Sequence, residues 1–162
     1  MSNVPKISEN FVVFLLDNQS YALPLNIVER IVRAVEITPL PKAPNIVFGI
    51  INVQGQVVPV VNVRRRFGLQ EREIDIDDRL IVVRTSKRVV VFPVDEVDDV
   101  RGTSKHKMIP AERITPGMEH IAGVIKLNGD MILIHDIDRF LSLDEETLLQ
   151  NAIDRLEHET NT

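Results

Sequence analysis

Residues 49–67 read GIINVQGQVVPVVNVRRRF, and residues 123–141, GVIKLNGDMILIHDIDRFL, repeat the pattern without a gap at an offset of 74. Gly49 falls on Gly123, Gly55 on Gly129, Asn62 on Asp136 and Arg65 on Arg139, with the apolar positions in step. Valines and isoleucines alone would say little, because strands resemble one another. Two glycines and a polar helix-start residue in register say that the chain is built twice from one unit. Any fold must therefore seat two copies of it.

Within the unit, Gln54-Gly55 separates the apolar run Ile50, Ile51, Val53 from Val57, Val58, Val60, Val61. Glycine supplies the positive φ a tight turn needs, so the stretch predicts a β-hairpin. Residues 63–67 read as a short helix or turn stopped by Gly68. Pro59 cannot donate to a ladder and predicts an edge, a bulge or a barrel corner.

A second set of matches runs at an offset of 69: Val12, Val13 and Phe14 meet Ile81, Val82 and Val83, while Pro24 meets Pro93 and Val28 meets Val97. Hairpins are expected at 11–23, turning at Asp17-Asn18, and at 80–92, turning at Ser86-Lys87 and closed by Pro93. Residues 25–31 have apolar spacing that suits either a helix or a turn into a strand. The three prolines of 38–44 dictate an extended loop, after which Asn45 can cap a helical turn. Residues 70–78 are charged and aperiodic, the expected seam between halves, and 103–118 is expected to be a polar loop. Ser142 and Glu145 have capping-box spacing ahead of an amphipathic helix at 144–157. Its Leu148, Leu149, Ile153 and Leu156 cover part of the core or dock a partner. Short connections without crossover helices make the fold mainly β: two small antiparallel barrels, packed through strands apolar on both faces.

A chain of 162 residues suits one domain or two halves sharing a core. Its net charge of -5 argues against nucleic acid as main partner. The absence of cysteine excludes disulfides, thiolate metal sites and cysteine nucleophiles. No apolar run approaches the ~18 residues of a membrane span, so no membrane insertion and a cytoplasmic address are expected. One tyrosine and no tryptophan make a poor aromatic platform for bases.

The residues give no catalytic constellation. His135-Asp136, with Asp138 nearby, looks like a metal pair but lacks a second histidine at ligand spacing. His106, His120 and His158 have no partners in the sequence. No nucleophile elbow or glycine-rich phosphate loop occurs, and Asp75, Asp77 and Asp78 lack the remainder of a calcium loop. Arg64-Arg65-Arg66 on an acidic protein reads as a solvated helix face. The chain is expected to bind rather than react, with no cofactor and no metal.

The segment GIINVQGQVVPVVNVRRRFG resembles the signature of the CheW coupling-protein family, of the form G-x-x-N-x-R-G-x-x-x-P-V-x-D/N-L-R-x-x-F. FVVFLLDNQSYALPLNIVERIV is similar to that family's opening hairpin and following strand, and ILIHDIDRFLSLDEETLL to its closing strand and helix. The resemblance implies two intertwined five-stranded β-barrels with short helices and a C-terminal helix. It implies a division into a flexible N-terminus (1–10), a double-barrel domain (11–141) and a C-terminal helix and tail (142–162). It further implies a non-enzymatic cytoplasmic adaptor, recruited to membrane-bound receptor clusters. Such an adaptor joins methyl-accepting chemoreceptor tips to the regulatory domain of a CheA-type histidine kinase. Kinase contact would fall on the first barrel and the receptor tip in the groove between barrels. The partner-binding positions so implied are Val28, Arg30, Ile31, Gly49, Asn52, Val53, Gln54 and Gly55. Gln54 stands where the family usually has arginine, and Arg30 where it often has glutamate, which bears on partner choice. The alternatives are a scaffold of the same fold in a non-chemotactic pathway, and a small-ligand-binding β-barrel protein.

Overall fold

The computed structural model of the chain describes residues 10–102, 108–110, 120–127 and 129–160. The first hairpin joins β1 (Asn10–Leu16) to β2 (Gln19–Pro24), and a 3-10 turn at Leu25–Ile27 leads into β3 (Val28–Arg33). After the proline loop come β4 (Val47–Val53), β5 (Gln56–Val61) and α1 (Val63–Arg66). The second half holds β6 (Arg79–Arg84), β7 (Val89–Val94), β8 (Glu96–Gly102), β9 (Met108–Pro110), β10 (Ile121–Leu127), β11 (Asp130–His135) and α2 (Leu143–Thr160).

Both tight turns carry positive φ at each central residue: Asp17 50° and Asn18 65°, Gln54 51° and Gly55 85°. That is the mirror-image turn whose twist matches the flanking strands. Residues 25–31 thus resolve as a turn into a strand. Asn45 caps no helix: Val47 N–H closes a turn onto the Pro44 carbonyl at 2.9 Å, and the Asn45 carbonyl accepts from Arg65 Nη1 at 3.1 Å. Pro93 does not close its strand, since β7 continues to Val94. Part of the expected 103–118 loop is the strand β9 against β10; its other residues lie outside the described ones.

The duplication shows in the register as well as in the sequence. The strands form two sheets, ordered β8-β1-β2-β11-β10-β9 and β3-β6-β7-β5-β4. Each sheet takes one hairpin from the first half of the chain and one from the second. Val60 pairs with Val91 in one sheet and Ile134 with Ala22 in the other, the same repeat positions in both. The register shift between Val47 and Gly49 recurs between Ile121 and Gly123. These cross-half contacts are parallel, so the sheets are mixed where an all-antiparallel arrangement was expected. No short turn links the strands that meet there, and pairing direction is free of the hairpin constraint. Pro59 is interior to its sheet, not on an edge. It neighbours this one-pair junction and pairs with Ile50, one position beyond the register shift in β4.

The sheets are intertwined as expected but do not close as barrels. In the β3–β4 sheet, among the described residues, only an isolated bridge between Thr38 and Ile50 spans the two edges, with N–H···O distances of 3.0 and 2.8 Å. Pro39 and Pro41 follow Thr38 and have no N–H to extend the ladder. The bridge requires Gly49. A Cβ there would lie 2.2 Å from the Thr38 carbonyl oxygen.

Three apolar clusters result. One lies on the inner face of each sheet, built from Ile51, Val58, Leu80, Val82 and Val91 in one and Phe11, Val13, Ile125 and Ile132 in the other. The third is shared between the sheets and contains Phe14, Leu16, Tyr21, Leu23, Ile81, Val83 and Phe92. Strands buried on both faces are why the sequence shows continuous apolar runs. Helix α2 covers this layer with Leu149 and Ala152 buried and Ile153 and Leu156 packed against it, while Leu148 stays exposed. Its capping box forms as expected: Ser142 N–H to Glu145 Oε1 at 2.9 Å and Glu145 N–H to Ser142 Oγ at 3.1 Å.

The arginine run is not a solvated face. Arg64 is buried and donates to both Asp95 carboxylate oxygens (2.6 and 2.8 Å), to the Gln70 carbonyl (3.0 Å) and to Asp17 (2.9 Å). Arg66 pairs with Glu145 of α2, and Arg65 with Glu71. Arg72 binds Asp78 and also Asp95. Burial works to raise the Asp95 carboxyl, but the Arg64 hydrogen bonds, the Asp17 N–H and the two guanidinium charges outweigh it and hold it below the usual carboxylate value.

Two outcomes follow from this packing. Gly49→Ala loses about 3 kcal/mol of stability through the clash at Thr38, whereas Gly55→Ala, in open space at positive φ, loses about 1 kcal/mol; urea unfolding separates them. Arg64→Met, which leaves Asp17 and Asp95 facing each other without their shared cation, costs about 3 kcal/mol in the same assay.

Candidate functional site

Edge strand β3 alternates half-buried and exposed residues from Val28 to Arg33. A register shift between Val28 and Arg30 displaces Glu29, which pairs with Arg84 at 2.8 Å. Val28 therefore packs toward the shared layer and Val32 toward the inner cluster, while Ile31 projects outward with 41% of its surface exposed. Among the described residues the outer side of β3 has no partner strand in its sheet, so its backbone groups are open to pairing.

The tip of the β4–β5 hairpin reaches this edge. Arg30 Nη2 donates to Gln54 Oε1 at 2.8 Å. Asn52 Oδ1 accepts the Gly55 N–H at 2.7 Å and braces the turn. Val53 is half-buried against the inner cluster. The structure thus brings Arg30, Asn52, Val53, Gln54 and Gly55 together, with Ile31 beside them on β3. Val28 lies two residues before Arg30 on the same strand, turned inward. Gly49 is buried behind the surface, where its lack of a side chain lets Thr38 approach.

One residue of this face is missing from the sequence-based set. Val57 is 45% exposed and stands opposite Asn52 in the ladder. In the sequence it is one of an apolar run of valines, and nothing there sets it apart from Val58, Val60 and Val61. Its repeat counterpart Met131 is likewise 48% exposed, so the outward position recurs in both copies, but only the structure shows it.

His135 is no metal ligand. It ends β11 inside an aromatic cage, with ring centroids 4.1 Å from Phe67, 5.0 Å from Tyr21 and 5.6 Å from Phe14. Asp136 turns away to Arg139 at 3.4 Å, and Asp138 accepts the Ser86 N–H at 2.8 Å. No group of three metal-ligating side chains occurs among the described residues. Both ring nitrogens of His135 are buried without a hydrogen-bond partner among the described residues. Burial, with a smaller contribution from His120, pushes the imidazole pKa down to about 3. It is neutral packing material.

Comparison with known proteins gives a consistent picture. The model of the CheW-like domain matches residues 10–145. A chemotaxis protein CheW from Klebsiella aerogenes is 29% identical over 148 residues, covering 90% of this chain and 89% of that protein. One from Thermotoga maritima is 30% identical over 128 residues, covering 79% and 84%. The crystal structure of the scaffolding protein CheW from Thermoanaerobacter tengcongensis superposes with a TM-score of 0.78 at 28% identity, over 85% of this chain and 95% of that one.

The caged imidazole sets a pH dependence. The unfolded chain takes up a proton below about pH 6.5, and the folded one does not until about pH 3. Stability is therefore full above the unfolded pKa and declines as pH falls between the two values. Urea melts at pH 7 and pH 5 differ by about 2 kcal/mol, and in His135→Phe this loss disappears.

Proposed function

This chain belongs to the CheW-like domain family, and we propose from that premise that it is a coupling adaptor of chemotaxis signalling. The observation that carries the reading is the family match over residues 10–145, which takes in both sheets and both exchanged hairpin pairs. It works by binding rather than by turnover. Its partners are the regulatory domain of a CheA-type histidine kinase and the cytoplasmic tip of a methyl-accepting chemoreceptor. The kinase docks on the β3 edge and the hairpin tip, through Val28, Arg30, Ile31, Asn52, Val53, Gln54 and Gly55, with Val57 added and Gly49 supporting from behind. An open edge strand beside exposed aliphatic side chains supplies both backbone pairing and apolar burial. The receptor tip lies in the surface groove where the two sheets adjoin, outside the apolar layer packed between them. Residues 11–141 form the adaptor domain and 142–162 the covering helix and tail; of the lead-in expected at 1–10, Asn10 opens β1 and residues 1–9 lie outside the described ones. The protein is cytoplasmic and is drawn to membrane-bound receptor clusters; no described helix is long and apolar enough to cross a membrane.

The two departures from the family pattern are one feature. Arg30 and Gln54 meet in a single hydrogen bond, so the change at each position is answered inside the chain. The outward charge of the site is what differs, and charge at an interface rim selects partners.

Calorimetric titration with the regulatory domains of the host's CheA-type kinases tests the proposal. The native protein binds one of them with micromolar affinity. Arg30→Glu alone weakens that binding by about tenfold, and the Arg30→Glu, Gln54→Arg pair retains the fold with its polar contact reversed. No heat from the native protein with any of these domains, and none from the double variant, would end the adaptor reading.

A further inference from the structure

The segment following β3 and the segment preceding β6 enclose a cleft of about 540 Å³. Residues 34–37 form one wall and residues 73–76 the other, with Phe48 of β4 between them. Both walls are fixed. Ala34 N–H donates to the Asp78 carbonyl at 3.3 Å, and Thr38 is held by Ile50. On the far side the Asp78 carboxylate takes Arg72 through two bonds of 2.8 Å and the Asp75 N–H at 2.8 Å.

The lining combines two unlike surfaces. Ile37, Phe48 and Ile74 turn partly into the inner cluster, while Val35 is 51% and Ile76 83% exposed. Exposed aliphatic side chains that line a cleft together offer apolar surface to a partner. Glu36, Glu73 and Asp75 line the same cleft, and none of the three forms an ion pair among the described residues. Arg33 and Arg79 face each other at the adjoining strand ends, with Arg79 already donating to the Asp77 and Asp78 carbonyls.

We infer that this cleft is a docking site for a protein segment carrying an apolar anchor between basic residues. The volume accepts a few side chains. The aliphatic lining rewards their burial, and three carboxylates that hold no ion pair among the described residues, Asp75 accepting the Asp77 N–H at 3.0 Å, select lysine and arginine while repelling phosphate-bearing ligands and anionic lipid. The partner is a peptide segment because only one molecule carrying both features can satisfy floor and rim together. The site is separate from the Arg30–Gln54 edge and stands whether or not a kinase binds there.

The test is an NMR titration of the ¹⁵N-labelled full chain with the acetylated peptide Lys-Lys-Lys-Leu-Phe-Lys-Lys-Lys. Saturable shifts are expected for the amides of 34–37, 48 and 73–76. Exchanging the peptide's lysines for glutamate, or Leu-Phe for Ser-Ser, removes them. Ile76→Ser and the Glu36→Lys, Glu73→Lys pair each weaken binding by about tenfold or more, with the rest of the spectrum and kinase-domain binding unchanged. Shifts scattered over the acidic surface, or equal affinity for the variants, overturn the inference. So does self-association of the protein that shifts these same amides, because a second copy would then be the occupant.

Discussion

The contacts Val60–Val91 and Ile134–Ala22 hold the molecule together, because at each of them a hairpin from one half of the chain continues a sheet begun by the other. That exchange gives each hairpin two faces to bury. One face lines its own sheet's inner cluster and the other joins the layer shared by both sheets. A half without its counterpart would present a strand apolar on both sides to water, so folding commits both halves at once. Helix α2 belongs to the same arrangement, since Leu149 and Ala152 finish the shared layer.

Charge is organised around the same crossing. Arg64 leaves α1 and enters the interior, where Asp17 from the first hairpin and Asp95 from the second half bind one guanidinium. Arg72 and Asp78 extend the cluster into the segment between the halves. Burying a guanidinium is costly unless its donors are used, and here Asp17, Asp95 and the Gln70 carbonyl use them. The seam is thereby a fixed strap, and its fixed backbone forms one wall of the acidic cleft. A surface for partners arises from a solution to a packing problem.

Much of the fold was legible because its signals are local. Turn dipeptides, the Ser142–Glu145 box and the position of Gly55 follow from backbone sterics within a few residues. The candidate site was legible only in part. Asn52, Gln54 and Gly55 belong to one hairpin turn, but nothing in the spacing of Arg30 and Gln54 says that they touch. That contact exists because the sheet curls until its edges nearly meet. Val57 and the arginine run were misjudged for a related reason: a residue's exposure depends on which strand or helix is brought against it, and the sequence does not name that neighbour.

The amino-acid sequence by itself determined the duplication, the hairpins, the capped C-terminal helix and the kinship of the chain, since each is written in residue types at short, fixed spacings. The tertiary structure alone decided which hairpins exchange, that the sheets stay open where the proline loop has no N–H to give, and that His135 is caged. It also decided that Arg30 meets Gln54. These depend on surfaces far apart in the chain being buried against one another, and burial is a property of pairs of segments that neither segment carries alone.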